Sequence, residues 1–277
     1  MTAPLAPRAP RRHSLSVCLI CRDEADRIDA CLASVAGWAD EIVVFDGGSQ
    51  DDTAERARRY TDRVWVTDWP GYGVQRQRTV EAARGAMLLV LDADEQLSPE
   101  LRAEIDAVLA SAAAADTAYG IRWQLRLFGK PLRFAGRYGA AQTRLFPRDK
   151  VRFPPAPVHE SPTLATRLRA QLRERLLHDS YRDYRALAAK HLDYGWLLAR
   201  QKHAAGKQAT VPGALLRAAW EFLLQYLLRG MLLEGQRGLL LALTLAQYAF
   251  HKQAGLYALR AAGAARETAF DPRRSRT

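Results

Sequence analysis

Four short apolar runs, Leu15–Ile20, Glu41–Phe45, Arg63–Val66 and Ala86–Leu91, alternate with segments of helical periodicity over the first 113 residues. The last run is unbroken, and none shows the strict apolar-polar alternation of a strand with one wet face. Strands of this kind are covered on both sides, which in a β-α repeat means a mostly parallel sheet lying between helices. The first intervening helix is marked by Ile28, Cys31, Leu32 and Val35 at i, i+3, i+4 and i+7. Asp52 with Glu55 predicts a capping box at a second helix, Tyr72 to Arg84 a third, and Ser98-Pro99 starts a fourth that carries Leu101, Ile105, Val108 and Leu109 on one face.

In such sheets ligands bind beyond the carboxyl ends of the strands. Acidic residues stand at three of those ends: Asp23 and Glu24 after the first run, Asp46 after the second, and Asp92, Asp94 and Glu95 after the fourth. Asp92 and Asp94, at i and i+2 in one loop, can both approach a hard cation whose remaining positions are filled by water and substrate phosphates. Mg²⁺ or Mn²⁺ held there would neutralise a diphosphate leaving group. Gly47 and Gly48 beside Asp46 let the backbone approach a ligand closely.

Hydrophobic residues make up 48% and charged residues 26% of the 277, which excludes disorder for most of the length. Met1 to Ser14 lacks the apolar stretch of about 7–15 residues that a secretory signal needs, so export is not expected. Three cysteines without an export signal speak against disulfides. Cys18 and Cys21 form a C-x-x-C, but they sit in a strand and no second Cys or His pair completes a zinc site. The longest apolar run, Leu239–Phe250, is interrupted by Thr244 and Gln247 and falls short of the about 18–20 residues that span a bilayer.

Forty-one basic against 30 acidic residues give +11, and the whole excess lies after Lys150, where 20 basic residues face 9 acidic ones. The C-terminal part therefore expects an acidic partner: lipid headgroups, a phosphorylated substrate or nucleic acid. A non-enzymatic nucleic-acid-binding module is disfavoured by six lysines against 35 arginines and by the absence of a helix-turn-helix, zinc or RNA-recognition signature. A nucleotidyltransferase should show a Gly-rich basic loop after the first strand, where this chain has Arg22-Asp23-Glu24.

Ser16-Val17-Cys18-Leu19-Ile20-Cys21-Arg22-Asp23-Glu24, Trp38-Ala39-Asp40-Glu41-Ile42-Val43-Val44-Phe45-Asp46-Gly47-Gly48-Ser49, Trp69-Pro70-Gly71-Tyr72-Gly73 and Leu91-Asp92-Ala93-Asp94-Glu95 together resemble family 2 glycosyltransferases of the GT-A fold. The nearer likeness is to the bacterial branch of lipopolysaccharide-core β-glucosyltransferases, and it continues through Val158-His159-Glu160, His178, Lys190 and Tyr194. The resemblance implies transfer of a hexose, with inversion, from a nucleotide sugar such as UDP-glucose to a saccharide acceptor of lipopolysaccharide or another envelope glycan, the acceptor free or lipid-linked. It implies work at the cytoplasmic face of the inner membrane and a divalent cation, Mg²⁺ or Mn²⁺.

Residue by residue, the resemblance implies that Asp46 holds the uracil and ribose side and that the loop of Cys21, Arg22 and Glu24 closes over the base. Gly48 and Ala93 would line the donor, Arg76 would reach the diphosphate, Asp92 would contact the ribose or orient its loop, and Asp94 would bind the metal. Inversion by single displacement needs a base for the acceptor hydroxyl. Glu160 takes that role, with His159 beside it toward the metal or the diphosphate and Asp94 and Glu95 as rivals. His178 is left open between a structural and a site role.

Tyr119 to Phe153 mixes aromatic and basic residues with Gly and Pro, including Phe134 and Tyr138, and reads as shorter strands and loops on the acceptor side. The chain divides into a tail over 1–13, a catalytic domain over 14–180, a helical segment over 181–270 and a basic tail over 271–277. Within Leu215–Leu233, Arg217, Glu221, Gln225 and Arg229 recur every four residues among Leu, Ala, Trp, Phe, Tyr and Met. That apolar surface is wider than the roughly 100° one core contact uses, so a membrane surface, neighbouring helices or a homodimer partner must meet it.

Overall fold

A computed structural model describes residues 10–133, 140–155, 162–166, 168–179, 181 and 183–261. The apolar runs form strands β1 (Leu15–Cys21), β2 (Glu41–Asp46), β3 (Val64–Val66) and β4 (Met87–Asp92), separated by helices α1 (Ile28–Ala33), α2 (Thr53–Ala57) and α3 (Tyr72–Ala82). A two-residue strand β5 (Glu95–Gln96) and helix α4 (Pro99–Ala110) follow. The later strands are β6 (Thr117–Leu127), β7 (Lys130–Pro131), β8 (Gln142–Pro147), β9 (Val151–Arg152), β10 (Thr163–Leu164) and β11 (Leu168–His178). The chain continues in helices α5 (Tyr184–Ala204), α6 (Val211–Leu223) and α7 (Gly235–Ala261).

One sheet runs in the order β3-β2-β1-β4-β8-β6-β11-β5, with β7 paired to β6. Its first four strands are parallel, and β4-β8, β8-β6 and β11-β5 are antiparallel. This mixed α/β sheet is the architecture expected of the GT-A fold. β1 is buried at every position, so its alternate side chains feed two cores. Leu15, Val17 and Leu19 meet Ile28, Leu32, Leu101, Ile105 and Leu109 on one face, while Cys18 and Ile20 meet Val43, Phe45, Val80 and Phe146 on the other.

The expected cap of α4 is present: Ser98 Oγ accepts from the Leu101 amide at 3.1 Å and Pro99 occupies the first turn. At α2 the capping box expected from Asp52 and Glu55 does not form. The carboxylate one residue earlier takes the Thr53 amide, at 3.1 Å from Asp51 Oδ1, and Asp52 instead holds Arg56 Nε at 2.9 Å. β6 is also longer than the short strands expected over 119–153, because its residues find partners in both β8 and β11.

The chain divides into two compact units: residues 1–124 with 139–178, and residues 125–138 with 179–277. Residues 125–133 join the second unit through Leu127 and Leu132, which bury against Leu187, Met231, Leu241 and Ala242. Within that unit α7 packs against both α5 and α6. Gly255 permits the first contact, since a Cβ there would lie 3.1 Å from Ala199 Cβ and from the Trp196 ring. No described helix is long and apolar enough to cross a membrane.

All three cysteines are buried and free. Burial pushes the Cys18 thiol up to about 12 and raises Cys21 and Cys31 as well. We predict that iodoacetamide at pH 8 leaves the folded protein unlabelled and modifies all three thiols once urea unfolds it, read by intact mass.

Candidate active site

Strand register brings the acidic residues level. Cys21 lies opposite Asp46, and Ile20 lies opposite Asp92, so the loops that leave β1, β2 and β4 emerge side by side. The first two are tied together. The Asp23 amide donates to Ser49 Oγ at 2.9 Å, the Gln50 amide to Asp23 Oδ1 at 2.7 Å, and the Glu24 amide to Thr53 Oγ1 at 2.8 Å. Asp23 adopts φ 55, a left-handed conformation that a short acidic side chain tolerates.

Asp46 shapes the second loop from beneath. Its side chain is completely buried, Oδ1 accepting from the Gly48 and Ser49 amides at 2.9 and 2.7 Å and Oδ2 from Ser49 Oγ at 2.5 Å. Gly48 has φ +78, and a Cβ on Gly47 would sit 2.2 Å from the Trp69 ring, so neither position admits a side chain without rearrangement. Cys21 is buried too, its thiol 3.7 Å from Asp46 Oδ2, and belongs to the strand rather than to a loop able to close over a base. Arg22 is about half exposed beside Asp23, and Glu24 pairs with Arg27 at 3.7 Å.

The third loop is held by a buried charge network. Asp92 pairs through Oδ1 with Arg76 Nη2 and through Oδ2 with Arg144 Nη2, the latter at 2.7 Å. Glu95, with no exposed surface, accepts from Arg144 Nη2 and Trp123 Nε1, both at 2.6 Å, and from the Asp92 amide at 2.8 Å. Burial works against the charged form of Asp92, yet Arg76 and Arg144 hold its carboxyl well below the usual range. Burial, with Asp92 acting in the same sense, pushes Glu95 up against the pull of Arg144. Arg76 is itself buried, its Nη1 donating to the Leu91 carbonyl at 3.1 Å, so in this conformation it supports the loop from below. Ala93, between the two aspartates, is buried as well.

Asp94 stands outside this balance. Its Oδ2 lies 3.2 Å from Arg27 Nη1 and 3.3 Å from His178 Nε2, and its side chain keeps 19% of its surface. His178 pairs in register with Glu95 across β11 and β5 and stacks on Trp123 with ring centroids 4.7 Å apart. Among the described residues no group of three His, Cys, Asp or Glu side chains is arranged around a metal position. One carboxylate with one imidazole nevertheless suits a cation that arrives with its own phosphate ligands.

Glu160 and His159 lie outside the described residues, as do Phe134 and Tyr138. The structure adds Arg27 and Arg144, neither singled out from sequence, and sets Trp123, one of the aromatic residues of the acceptor-side stretch, on Glu95. Arg144 did carry a signal, as a lone cation in the otherwise apolar end of β8. A cleft of about 490 Å³ opens instead at the amino ends of the strands, lined by Ser14, Asp40, Glu41, Arg63 and Arg84 among others. Its Glu41 and Arg63 pair at 3.0 Å, and it lies at the end of the sheet opposite to where α/β folds place ligands.

The family model for glycosyl transferase family 2 matches residues 16–176. The chain belongs to this family. Among its curated relatives a TPR repeat-containing protein of Synechococcus elongatus is 41% identical over 97 residues, 33% of this chain and 24% of that protein. An uncharacterized glycosyltransferase of Rickettsia felis is 37% identical over 99 residues, 36% of this chain and 35% of the relative. The chain thus spans about a quarter to a third of these relatives. The lipopolysaccharide core biosynthesis glycosyltransferase LpsC of Rhizobium meliloti is 29% identical over 261 residues, 91% of this chain and 94% of that protein. The family match covers the carboxylate-bearing loops of β1, β2 and β4 together with Arg144 and Trp123.

Removing one partner from a buried ion pair leaves the other charge uncompensated, at a cost of about 3–5 kcal/mol. Arg144→Met should lower the urea-unfolding free energy by about that amount. Asp94→Asn, at a partly exposed pair, should cost less than about 1 kcal/mol.

Proposed function

We propose that this family 2 protein transfers a hexose, with inversion, from a UDP-sugar such as UDP-glucose to a saccharide acceptor in the assembly of lipopolysaccharide or another cell-envelope glycan. The observation that carries the proposal is the partly exposed pair of Asp94 and His178 beside a D-x-D loop that is otherwise locked, at the carboxyl end of a family 2 sheet. The near full-length likeness to the LpsC protein supports the acceptor class. We place the work at the cytoplasmic face of the inner membrane, on an acceptor that is free or lipid-linked.

The roles follow from what each group can still reach. Asp46 and Asp23 spend their oxygens on backbone amides, so they fix the two loops against which the nucleoside rests, and Gly47 and Gly48 keep that surface free of side chains. Arg22 and Glu24 lie on the exposed part of the first loop and are the groups there able to touch the base. Asp92, neutralised by Arg76 and Arg144, orients its loop and contacts the ribose without being a strong cation ligand. Asp94 and His178 would hold the divalent cation, and the imidazole favours Mn²⁺ over Mg²⁺, a harder cation that prefers oxygen. A bound cation would offset the charge that develops on the departing diphosphate.

Glu160 takes the proton from the acceptor hydroxyl as that oxygen attacks the anomeric carbon, and His159 lies beside it. Positioning and proton removal then supply the protein's own share of the catalysis.

A ligand that binds the folded state raises its apparent stability, by about 2.7 kcal/mol at a hundred times its Kd. UDP-glucose with Mn²⁺ should therefore shift the thermal midpoint upward by more than either alone. Asp94→Asn should erase the cation-dependent part of that shift and abolish turnover. Glu160→Gln should keep the shift while turnover falls about 10²–10⁴-fold. Unaltered turnover in both variants would overturn the residue roles, and no shift with any nucleotide sugar would overturn the donor class.

A further inference from the structure

Helix α6 sends Phe222 into the core of its unit but keeps most of its apolar surface outside. Its buried side carries Ala214, and the turn that follows it, Leu224–Leu228, buries Gln225, whose Nε2 donates to Glu221 Oε1 at 2.7 Å. Its outward side carries Val211, Leu215, Leu216, Trp220 and Leu223, and the pattern runs on through Leu227, Leu228, Leu232 and Leu233. Leu216 is 74% exposed, Leu228 66% and Leu233 65%. Single exposed leucines are ordinary, but a run with one outward direction over three helical turns and beyond marks a surface that meets another apolar phase.

We infer that the outward face of α6 and the turns up to Leu233 is a docking surface for an anionic bilayer, with the helix lying in the interfacial plane. The inference rests on the reading that the protein works at a membrane surface, and is independent of the transfer chemistry. Three observations select a bilayer. No described helix is long and apolar enough to cross, so contact is lateral. The basic excess of the chain lies wholly in its C-terminal part, 20 basic residues against 9 acidic, and exposed Lys207 and Arg217 adjoin the leucines. A two-fold copy would set that basic surface against itself, since such an interface is self-complementary, whereas anionic headgroups answer the cations while acyl chains take the leucines. Arginine and lysine at such a boundary lay their methylene stems along the apolar surface and keep the charge among the headgroups.

The test uses the full chain with 100-nm vesicles of phosphatidylcholine alone or mixed 3:1 with phosphatidylglycerol. Flotation should recover the protein with the anionic vesicles, at least tenfold more than with neutral ones, and 0.5 M NaCl should weaken recovery. Tryptophan emission should shift to the blue on binding, and Trp220→Phe should remove most of that shift. The variant Leu216→Ser/Leu227→Ser/Leu228→Ser alters only exposed side chains. It should keep the wild-type thermal midpoint and its response to UDP-glucose with Mn²⁺, and lose at least tenfold in vesicle recovery. Equal recovery of the variant would overturn the inference, as would no recovery of the wild type with either vesicle. A concentration-dependent dimer that these serines dissolve, without vesicle binding, would assign the face to a second copy instead. Loss of the nucleotide-sugar response in the wild type would bear on the transfer reading alone.

Discussion

One guanidinium, that of Arg144, decides the geometry of the D-x-D loop. It bridges Asp92 at the end of β4 and Glu95 in β5, and Arg76 completes the neutralisation from α3. Two buried cations face one buried carboxylate, Glu95, and one partly exposed, Asp92, and such pairing of opposite charges is the condition under which charges of this kind survive desolvation. The pairs cross between strands: Arg144 stands on β8, the neighbour of β4, and Trp123, on β6, donates to the same Glu95. A loop fixed from three neighbouring elements, α3, β6 and β8, presents Asp94 in one orientation, which is preorganisation of the kind that stabilises developing charge.

The first two loops solve a related problem with hydrogen bonds. Asp23, Asp46, Ser49, Asp51 and Thr53 satisfy one another's backbone amides, so the carboxylates that look from sequence like ligand-binding groups are largely consumed in making a rigid floor. The surface these loops present is then chiefly backbone and glycine, with Arg22 exposed beside it. Acidic residues at strand ends therefore divide into two kinds: those that build the loop and those that the loop displays. Only burial and partner geometry separate them.

That division explains what was legible in the sequence. Parallel strands, their order of use and the alignment of carboxylates at one sheet edge follow from apolar runs and the β-α rhythm, and Ser98 capped α4 as its chemistry dictates. Which carboxylate does what did not follow, because Asp46 and Asp94 have the same side chain and the partners of Asp94, Arg27 and His178, are distant in sequence. Arg144 lies 49 residues beyond Glu95, and no local pattern links them. At α2 the rule pointed to the right N-cap residue, but the Asp52 carboxylate turns to Arg56 and leaves the cap unmade. The packing of Leu127 and Leu132 was likewise hidden, because they look like any strand leucines until their partners on α5 and α7 are known.

The helical unit shows the same principle with its sign reversed. Every fourth residue of the segment from Arg217 to Arg229 is polar, which in an isolated helix would mark the wet side. Here Glu221 and Gln225 satisfy each other and turn inward, and the leucines are left outside. Folding in water gains little from those leucines, which keep 45–74% of their surface in the folded chain. Their burial free energy is thus held back for whatever covers them, and it adds to binding without having been spent on the fold. Such a helix would be a poor choice for stabilising a helical unit in water, and would suit reversible residence at the bilayer surface proposed for it.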